Sequence, residues 1–407
     1  MLVVVITAIY TTSTIRFDII FFTCSLYLML DSKLPNDAVD RLTHYINVYI
    51  LDATHERAKS RESLMAEPKG NATLKAIAEE AGVTITTVSC ILNNKGGKYA
   101  AKTKAKVQAI ADRLKYRPNA LATSVRTGKT GTAGVMIPNR HQFYSRVVSG
   151  IHDTLLNHDT LMLLCWNDDH PDGRTFGDKE RRIIHGLVDR RVDGIILRPA
   201  HEDLDRSYFE EIWERGIPLI LVDREMSNVT TDFAGTNDEV GGALAAEHLL
   251  FLGHRRMLYV GDSNISTSNH RQDGFLRVLT GTRDACGQAI EFYSWGANEQ
   301  IVELITQQPD RATAVFCIND FIASQIMSLA RDAGLSVPED VSVVGFGDQS
   351  LPDAAVGLTT FNQSPAQIGA AAAQMYLDRV NAPGHTDYRT ILIKPDLVVR
   401  GSTALAK

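Results

Sequence analysis

The sequence predicts an α/β protein in which a small all-α module precedes a larger body built on parallel sheet. Two observations carry this. Short apolar runs alternate with amphipathic stretches from residue 134 onward, and the segment 71–130 ahead of them has helical periodicity and a charge opposite to the rest. At 407 residues the chain is too long for one ordinary core, so two or three folding units are expected. With 44% hydrophobic and 22% charged residues the composition is globular, neither disordered nor collagen-like.

Met1–Leu30 is strongly apolar, but Arg16 and Asp18 split it, so neither half reaches the roughly 18–20 uninterrupted apolar residues that span a bilayer. No basic stretch precedes the run and no clear small-residue cleavage site follows, which argues against a secretory signal. Residues 31–64 are mixed and polar, and Met65 opens MAEPKGNATLKAIAEEAGV. We expect translation to start there and 1–64 to be an extension outside the folded units; a membrane anchor is the competing reading.

A helix-turn-helix domain is expected over 71–116. Leu74, Ile77, Ala78 and Ala81 share one helix face, Ala81-Gly82-Val83 makes a turn, and Val88, Ile91 and Leu92 line a second helix. Gly82 suits a turn that needs positive φ, and Thr84 is a good N-cap for the helix it precedes. A third helix, roughly Lys102 to Leu114, turns Val107, Ile110, Ala111 and Leu114 inward and Lys102, Lys104 and Lys106 outward. In such a motif the second helix enters the major groove by its N-terminal residues, so Ile85, Thr86, Ser89 and Cys90 are the candidate base readers, with the cap Thr84 counted among the DNA-binding residues. Thr87, Asn94 and the lysines are expected on phosphates. Residues 71–130 hold eleven Lys/Arg against Glu79, Glu80 and Asp112, a net +8, while the remainder of the chain carries −14. A basic module on an acidic body points to a polyanion partner.

In the body the runs read GVMIP, TLMLLCW, VDGIILRP, PLILVD, FAGTN, RMLYVGD, AVFCIND and VSVVGFGD. Apolar runs of this length separated by helical stretches are the pattern of a parallel sheet covered on both faces. Ligands of such sheets bind beyond the carboxyl ends of the strands. The residues standing there are polar: Asn139, Asp223, Arg224, Asn237, Asp238, Asp262, Asn319, Asp320 and Asp348. Singly each reads better as a turn former or helix cap; together they suggest a polar cleft.

TLKAIAEEAGVTITTVSCILNN, followed by YRPNALATSVRTGKTGTAGVMIP and ending in PDLVVRGST, resembles the lactose-repressor family over residues 73–403. The resemblance implies a body (131–403) of two lobes like the periplasmic sugar-binding proteins, which binds an effector and dimerises. It also implies a hinge and linker at 117–130, where Pro118 opens a short helix that folds on DNA. Asn119, Ala122 and Val125 are its implied DNA contacts, with Val125 as the minor-groove wedge. Two departures stand out: Val125 replaces the usual leucine, and Cys90 stands where an arginine often reads guanine. Carried over motif by motif, the implied effector contacts are Asn139, Phe143, Arg224, Asn237, Arg271, Trp295, Asn319, Asp320 and Asp348; Gly347 occupies the place of a usual aspartate.

The expected function is therefore a DNA-binding transcriptional regulator, a repressor, controlled by a small polar effector such as a sugar. Its expected partners are double-stranded operator DNA and a second copy of itself in a homodimer, with a tetramer as the alternative; no membrane is involved. The five cysteines (Cys24, Cys90, Cys165, Cys286, Cys317) are scattered without zinc spacing, as reduced thiols of a cytoplasmic protein are, and no metal or cofactor is expected. An enzyme is disfavoured. GKT at Gly128–Thr130 lacks the P-loop glycine, since Thr123 stands in its place, and no G-x-G-x-x-G, G-x-S-x-G or H-E-x-x-H occurs. An uptake-type binding protein shares the body's expected fold but not the basic module.

Overall fold

The computed structural model describes residues 73–93, 99–117, 124–125, 127–138, 142–167, 176–199, 207–226, 229–292, 296–307, 309–349, 357–382, 384 and 387–407. The expected extension 1–64, with the start at Met65, lies outside them, as does Pro118. The chain divides into two compact units, Met1–Pro118 and Asn119–Lys407.

The first unit holds α1 (Leu74–Ala81), α2 (Ile85–Leu92) and α3 (Ala101–Arg113). Each boundary has a local cause. Thr73 caps α1 by accepting from the Ala76 N–H, and Gly82, at φ 71°, ends it by donating to the last carbonyls. Thr84 then caps α2 through the Thr87 N–H. Ile77, Ala78 and Ala81 meet Val88 and Ile91 of α2 and Val107, Ile110 and Ala111 of α3 in one small core. The inward residues are those the periodicity predicts. Of the three lysines expected outward, Lys106 differs: its ammonium donates to the Ala81 carbonyl at 2.9 Å and braces α3 against the turn.

The second unit has two lobes. In lobe 1, β1 (Thr132–Ile137), β2 (Leu161–Trp166), β3 (Gly194–Leu197), β4 (Leu219–Val222), β5 (Asp232–Thr236) and β11 (Thr390–Ile393) form a parallel sheet in the order β11-β5-β4-β3-β1-β2. Side chains alternate between its faces. Val135, Ile137, Ile196, Ile220 and Val222 pack under α4 (Gln142–Leu156) and α11 (Pro365–Asn381). Met136, Ile195, Leu197, Leu219 and Leu221 pack under α5 (Phe176–Asp189) and α6 (Ser207–Glu214). Both faces being covered is why these strands read as unbroken apolar runs.

Lobe 2 repeats the scheme. Its sheet runs β7-β6-β8-β9, with β6 (Arg256–Gly261), β7 (Cys286–Glu291), β8 (Ala314–Cys317) and β9 (Ser342–Val344) all parallel. The helices α7 (Asp238–Phe251), α8 (Ser266–Thr280), α9 (Ala297–Thr306) and α10 (Asp320–Asp332) contribute to its core. The chain passes between lobes after β5, after the short β10 (Thr360–Asn362), and between β11 and β12 (Asp396–Val398), which pairs antiparallel with β10. Each lobe has one helix crossing so close that only glycine fits. A Cβ on Gly150 or Gly369 would overlap a backbone carbonyl of the facing helix where α4 crosses α11, and one on Gly242 or Gly274 would do so where α7 crosses α8.

The eight apolar runs are all strands. Four further strands, β7, β10, β11 and β12, were not predicted, and β7 and β11 are largely exposed edges whose residues show no buried run.

Candidate functional site

In the first unit the exposed edge of α2 carries Thr84, Ile85 and Thr86, with Ser89 and Cys90 half-buried one turn on. Ile85 is 48% exposed, although it belongs to an otherwise core-forming helix. The Thr84 and Thr87 hydroxyls lie 2.9 Å apart and hold each other, so Thr87 stabilises the cap as well as facing outward. At the other end of α2, Asn93 folds back and donates from Nδ2 to the Ser89 carbonyl at 2.7 Å and to Ser89 Oγ at 3.3 Å. Asn93 thus orients a candidate reader, a role its sequence context as a turn former did not reveal. Asn94 lies outside the described residues.

Around the hinge, Asn119 and Ala122 also lie outside the described residues. Ser124, Val125 and Thr127 are helical, the Gly128 N–H donates to the Ser124 carbonyl at 2.8 Å, and the Val125 side chain is 82% exposed. The linker's far end is fastened to lobe 1. The Asp193 carboxylate accepts from the Thr130 N–H at 2.7 Å, the Thr130 hydroxyl at 3.1 Å and the Gly131 N–H at 2.7 Å. Lys129 Nζ donates to Asn381 Oδ1 at 3.2 Å. Asp193, just ahead of β3, was missed in the sequence; its acidic side chain beside the start of β1 becomes meaningful only once β1 and β3 are neighbours.

The implied effector residues stand in different settings. Asn139 and Trp295 lie outside the described residues. Asn237 and Asn319 cap helices: their side chains accept from the Val240 N–H at 3.2 Å and the Ile322 N–H at 2.8 Å. Asp320 is fully buried, with Oδ2 accepting from the Gln349 N–H at 2.7 Å and Oδ1 from the Thr360 hydroxyl at 2.5 Å. Burial pushes its pKa up, and these two hydrogen bonds oppose the rise. Asp348 accepts from Arg400 at 2.5 Å and from Asn362 Nδ2 at 3.1 Å. Phe143, in the first turn of α4, is buried edge-on against Tyr144, and Arg224 is half-buried directly after β4.

Tyr144 brings a cluster that sequence reasoning did not assemble. Its hydroxyl donates to Asp223 Oδ2 at 2.8 Å, and Arg198 Nε lies 3.7 Å from the same oxygen. Burial pushes the Tyr144 phenol up to about 12, with the Arg198 guanidinium opposing. Asp223 itself sits at φ 68°, a left-handed backbone that non-glycine residues seldom hold. These groups crowd the carboxyl ends of β3 and β4.

Arg271 stands where the crossovers meet. It is 5% exposed and donates from Nε to Asp238 Oδ1 at 2.7 Å, from Nη1 to the Ile318 carbonyl at 2.5 Å and from Nη2 to Gln363 Oε1 at 3.4 Å. Its guanidinium stacks on Phe346 at 3.8 Å, and the Thr236 hydroxyl donates to the same Gln363 oxygen at 2.9 Å. Burial pushes the Asp238 carboxyl up to about 6, with Arg271 opposing. One guanidinium therefore joins the start of α7, the end of β8 and the segment entering α11. Among the described residues no helix is long and apolar enough to cross a membrane, and no group of three or more His, Cys, Asp or Glu side chains is placed to hold a metal.

Fold and site together define a helix-turn-helix DNA-binding unit followed by a two-lobed sheet domain whose strand ends converge. Comparison with known proteins agrees. Residues 73–119 match the bacterial regulatory proteins of the lacI family, and residues 246–403 match a periplasmic binding protein-like domain. The chain is 30% identical over 348 residues to the HTH-type transcriptional repressor PurR of Photobacterium profundum, covering 81% of this chain and 98% of that one. The Lac repressor dimer bound to operator and the anti-inducer ONPF shares the fold, with a TM-score of 0.64 at 24% identity, over 82% of this chain and 99% of that one. A LacI family transcriptional regulator from Enterococcus faecium with bound ribose is 28% identical with a TM-score of 0.54, over 68% of this chain and 100% of that one. The chain belongs to the lacI family of bacterial regulatory proteins and is a DNA-binding transcriptional regulator.

Proposed function

We propose that this protein is a cytoplasmic repressor that binds a pseudo-palindromic operator as a homodimer and whose operator affinity is set by a small polar effector. Residues 71–116 bind DNA, 117–130 form the hinge and linker, and 131–403 bind effector and dimerise. The protein has no catalytic activity of its own and needs no cofactor. The observation that carries this reading is the exposed row Thr84, Ile85 and Thr86 on a capped helix within a module of net +8. Ser89, Cys90 and Thr87 complete the groove-facing surface with Asn94, and Asn119, Ala122 and Val125 act from the hinge. Cys90 cannot form the bidentate contact of an arginine with guanine, so the operator differs from those of relatives carrying arginine there.

The effector lies beyond the carboxyl ends of the strands, where Asn139, Phe143, Arg224, Asn237, Arg271, Trp295, Asn319, Asp320 and Asp348 are the candidate residues. The repressor role of PurR and the ribose bound by the Enterococcus faecium regulator support repression and a sugar-like ligand here. Asn237, Asn319 and Asp320 contribute mainly by fixing the backbone from which neighbouring groups reach the ligand. Selection of binding sites from a random duplex library tests the reading: a two-fold symmetric consensus is expected, with Thr86→Ala relaxing the preference at one position in each half-site. Binding without sequence preference refutes it.

A further inference from the structure

Asn167 directly follows β2 at the carboxyl edge of the lobe 1 sheet, and its backbone N–H donates to the Ile137 carbonyl at 3.2 Å. Its side chain is 1% exposed, and among the described residues neither Nδ2 nor Oδ1 has a hydrogen-bond partner. A primary amide brings two donors and an acceptor oxygen with two lone pairs. Burying all of them unmet is strongly unfavourable, and folded proteins retain such a group only where something meets it. The contrast with the other strand-end asparagines is informative. Asn237 and Asn319 are occupied by the helices they cap, whereas Asn167 caps no described helix.

We propose that Asn167 is an effector-contacting residue of lobe 1, whose amide pairs with adjacent donor and acceptor atoms of the ligand. The inference rests on the effector reading above and names the ligand chemistry. An amide presents donor and acceptor side by side, and its acceptor half needs a ligand O–H or N–H. Phosphate and carboxylate groups offer none when ionised. The ligand portion at Asn167 is therefore not an ionised phosphate or carboxylate; it sets a donor beside an acceptor, as two hydroxyls of a sugar or the donor–acceptor edge of a nucleobase do. Phe143 and Tyr144, buried in the first turn of α4, follow the end of the neighbouring strand β1. A ligand reaching Asn167 thus lies at the β1–β2 side of the sheet, beyond the Arg198–Asp223 pair.

Thermal melting and calorimetric titration of the full chain test this, comparing wild type with Asn167→Leu and Asn167→Ala against D-ribose, cellobiose, ribose 5-phosphate and adenine. Leucine approximates the volume of asparagine without its polar atoms. Without probe, Asn167→Leu is expected to melt at or above the wild type, because an unmet amide has been removed. For a sugar or base that shifts the wild type, Kd should rise about tenfold or more in both variants, the size of one lost hydrogen-bonding group in a buried site. The sugar and adenine arms separate the two sources of the same chemistry. Unchanged Kd in Asn167→Leu means that an ordered water alone meets the amide and overturns the inference, leaving the effector reading intact. Early melting of both variants without probe also overturns it, since the amide is then paired within the fold. A wild type unmoved by all four probes refutes the effector reading for these ligands and the inference with it.

Discussion

Replacing Arg271 by alanine should destabilise the second unit substantially even without ligand or DNA. The substitution removes the donor that holds Asp238 Oδ1 at 2.7 Å, the Ile318 carbonyl at 2.5 Å and Gln363 at 3.4 Å, and takes the cation from the face of Phe346. Asp238 is itself 5% exposed, so its carboxylate is left buried without its principal partner. Removing one member of a buried pair costs about 3–5 kcal/mol, mainly because the other charge is stranded. At about 2 °C per kcal/mol for a unit of this size, the melting temperature should drop by about 6–10 °C. Asp238→Asn added to Arg271→Ala removes the stranded charge and should recover about half of the loss. Arg271→Lys should fall between the two, because an ammonium retains the charge but lacks the planar fork that reaches acceptors on three segments. Thermal unfolding followed by circular dichroism measures all three. An Arg271→Ala protein melting within about 2 °C of wild type would refute the argument, as would an Asp238→Asn addition that lowers stability further.

Other consequences follow from the same packing and hydrogen bonds. Gly242→Ala places a methyl against the Arg271 backbone and forces α7 from α8, at a cost of about 1–3 kcal/mol or somewhat more; Gly281→Ala, whose Cβ meets nothing nearer than 3.5 Å, is the neutral control, and equal melting of the two variants would contradict the crossing. Lys104→Ala should flatten the dependence of DNA affinity on salt by about 0.9 for the one phosphate its ammonium neutralises, without altering stability, whereas Lys106→Ala should also lower the melting temperature because its ammonium holds Ala81. Salt titrations on a non-specific duplex decide, and an unchanged slope in Lys104→Ala means that this lysine touches no phosphate. Stability should also fall in mild acid through His254. Its Nε2 must carry the proton to donate to the Ala404 carbonyl at 3.1 Å, leaving Nδ1 to accept from Thr313 at 2.8 Å, and burial holds its pKa below the ordinary value. The folded chain thus prefers neutral His254, so its contribution is complete above the imidazole range near about 6.5 and is lost as pH falls through the lowered value. Neighbouring His248, also shifted down by burial, acts in the same direction. Melting curves between neutral and mildly acidic pH should therefore be flatter for His254→Gln; parallel curves would exclude the mechanism.

Local chemistry made much of this protein legible in its sequence. The helix limits around Thr84 and Gly82 follow from capping and positive φ, interactions that span four residues and need no tertiary context. The eight apolar runs could be read as strands because both faces of each sheet are covered, which demands continuous apolarity. β7 and β11 escaped because an exposed edge makes no such demand, and β11 joins lobe 1 by pairing with β5, far earlier in the chain. The candidate site divides along the same line. Polar strand ends announced a cleft, but the sequence could not show which polar groups would face one another there. Strand order brings Asp193 to the linker and Tyr144 to Asp223, and the crossovers bring Asp238, Ile318 and Gln363 to Arg271. These meetings belong to the tertiary structure alone, because each joins segments that have no local interaction to bring them together.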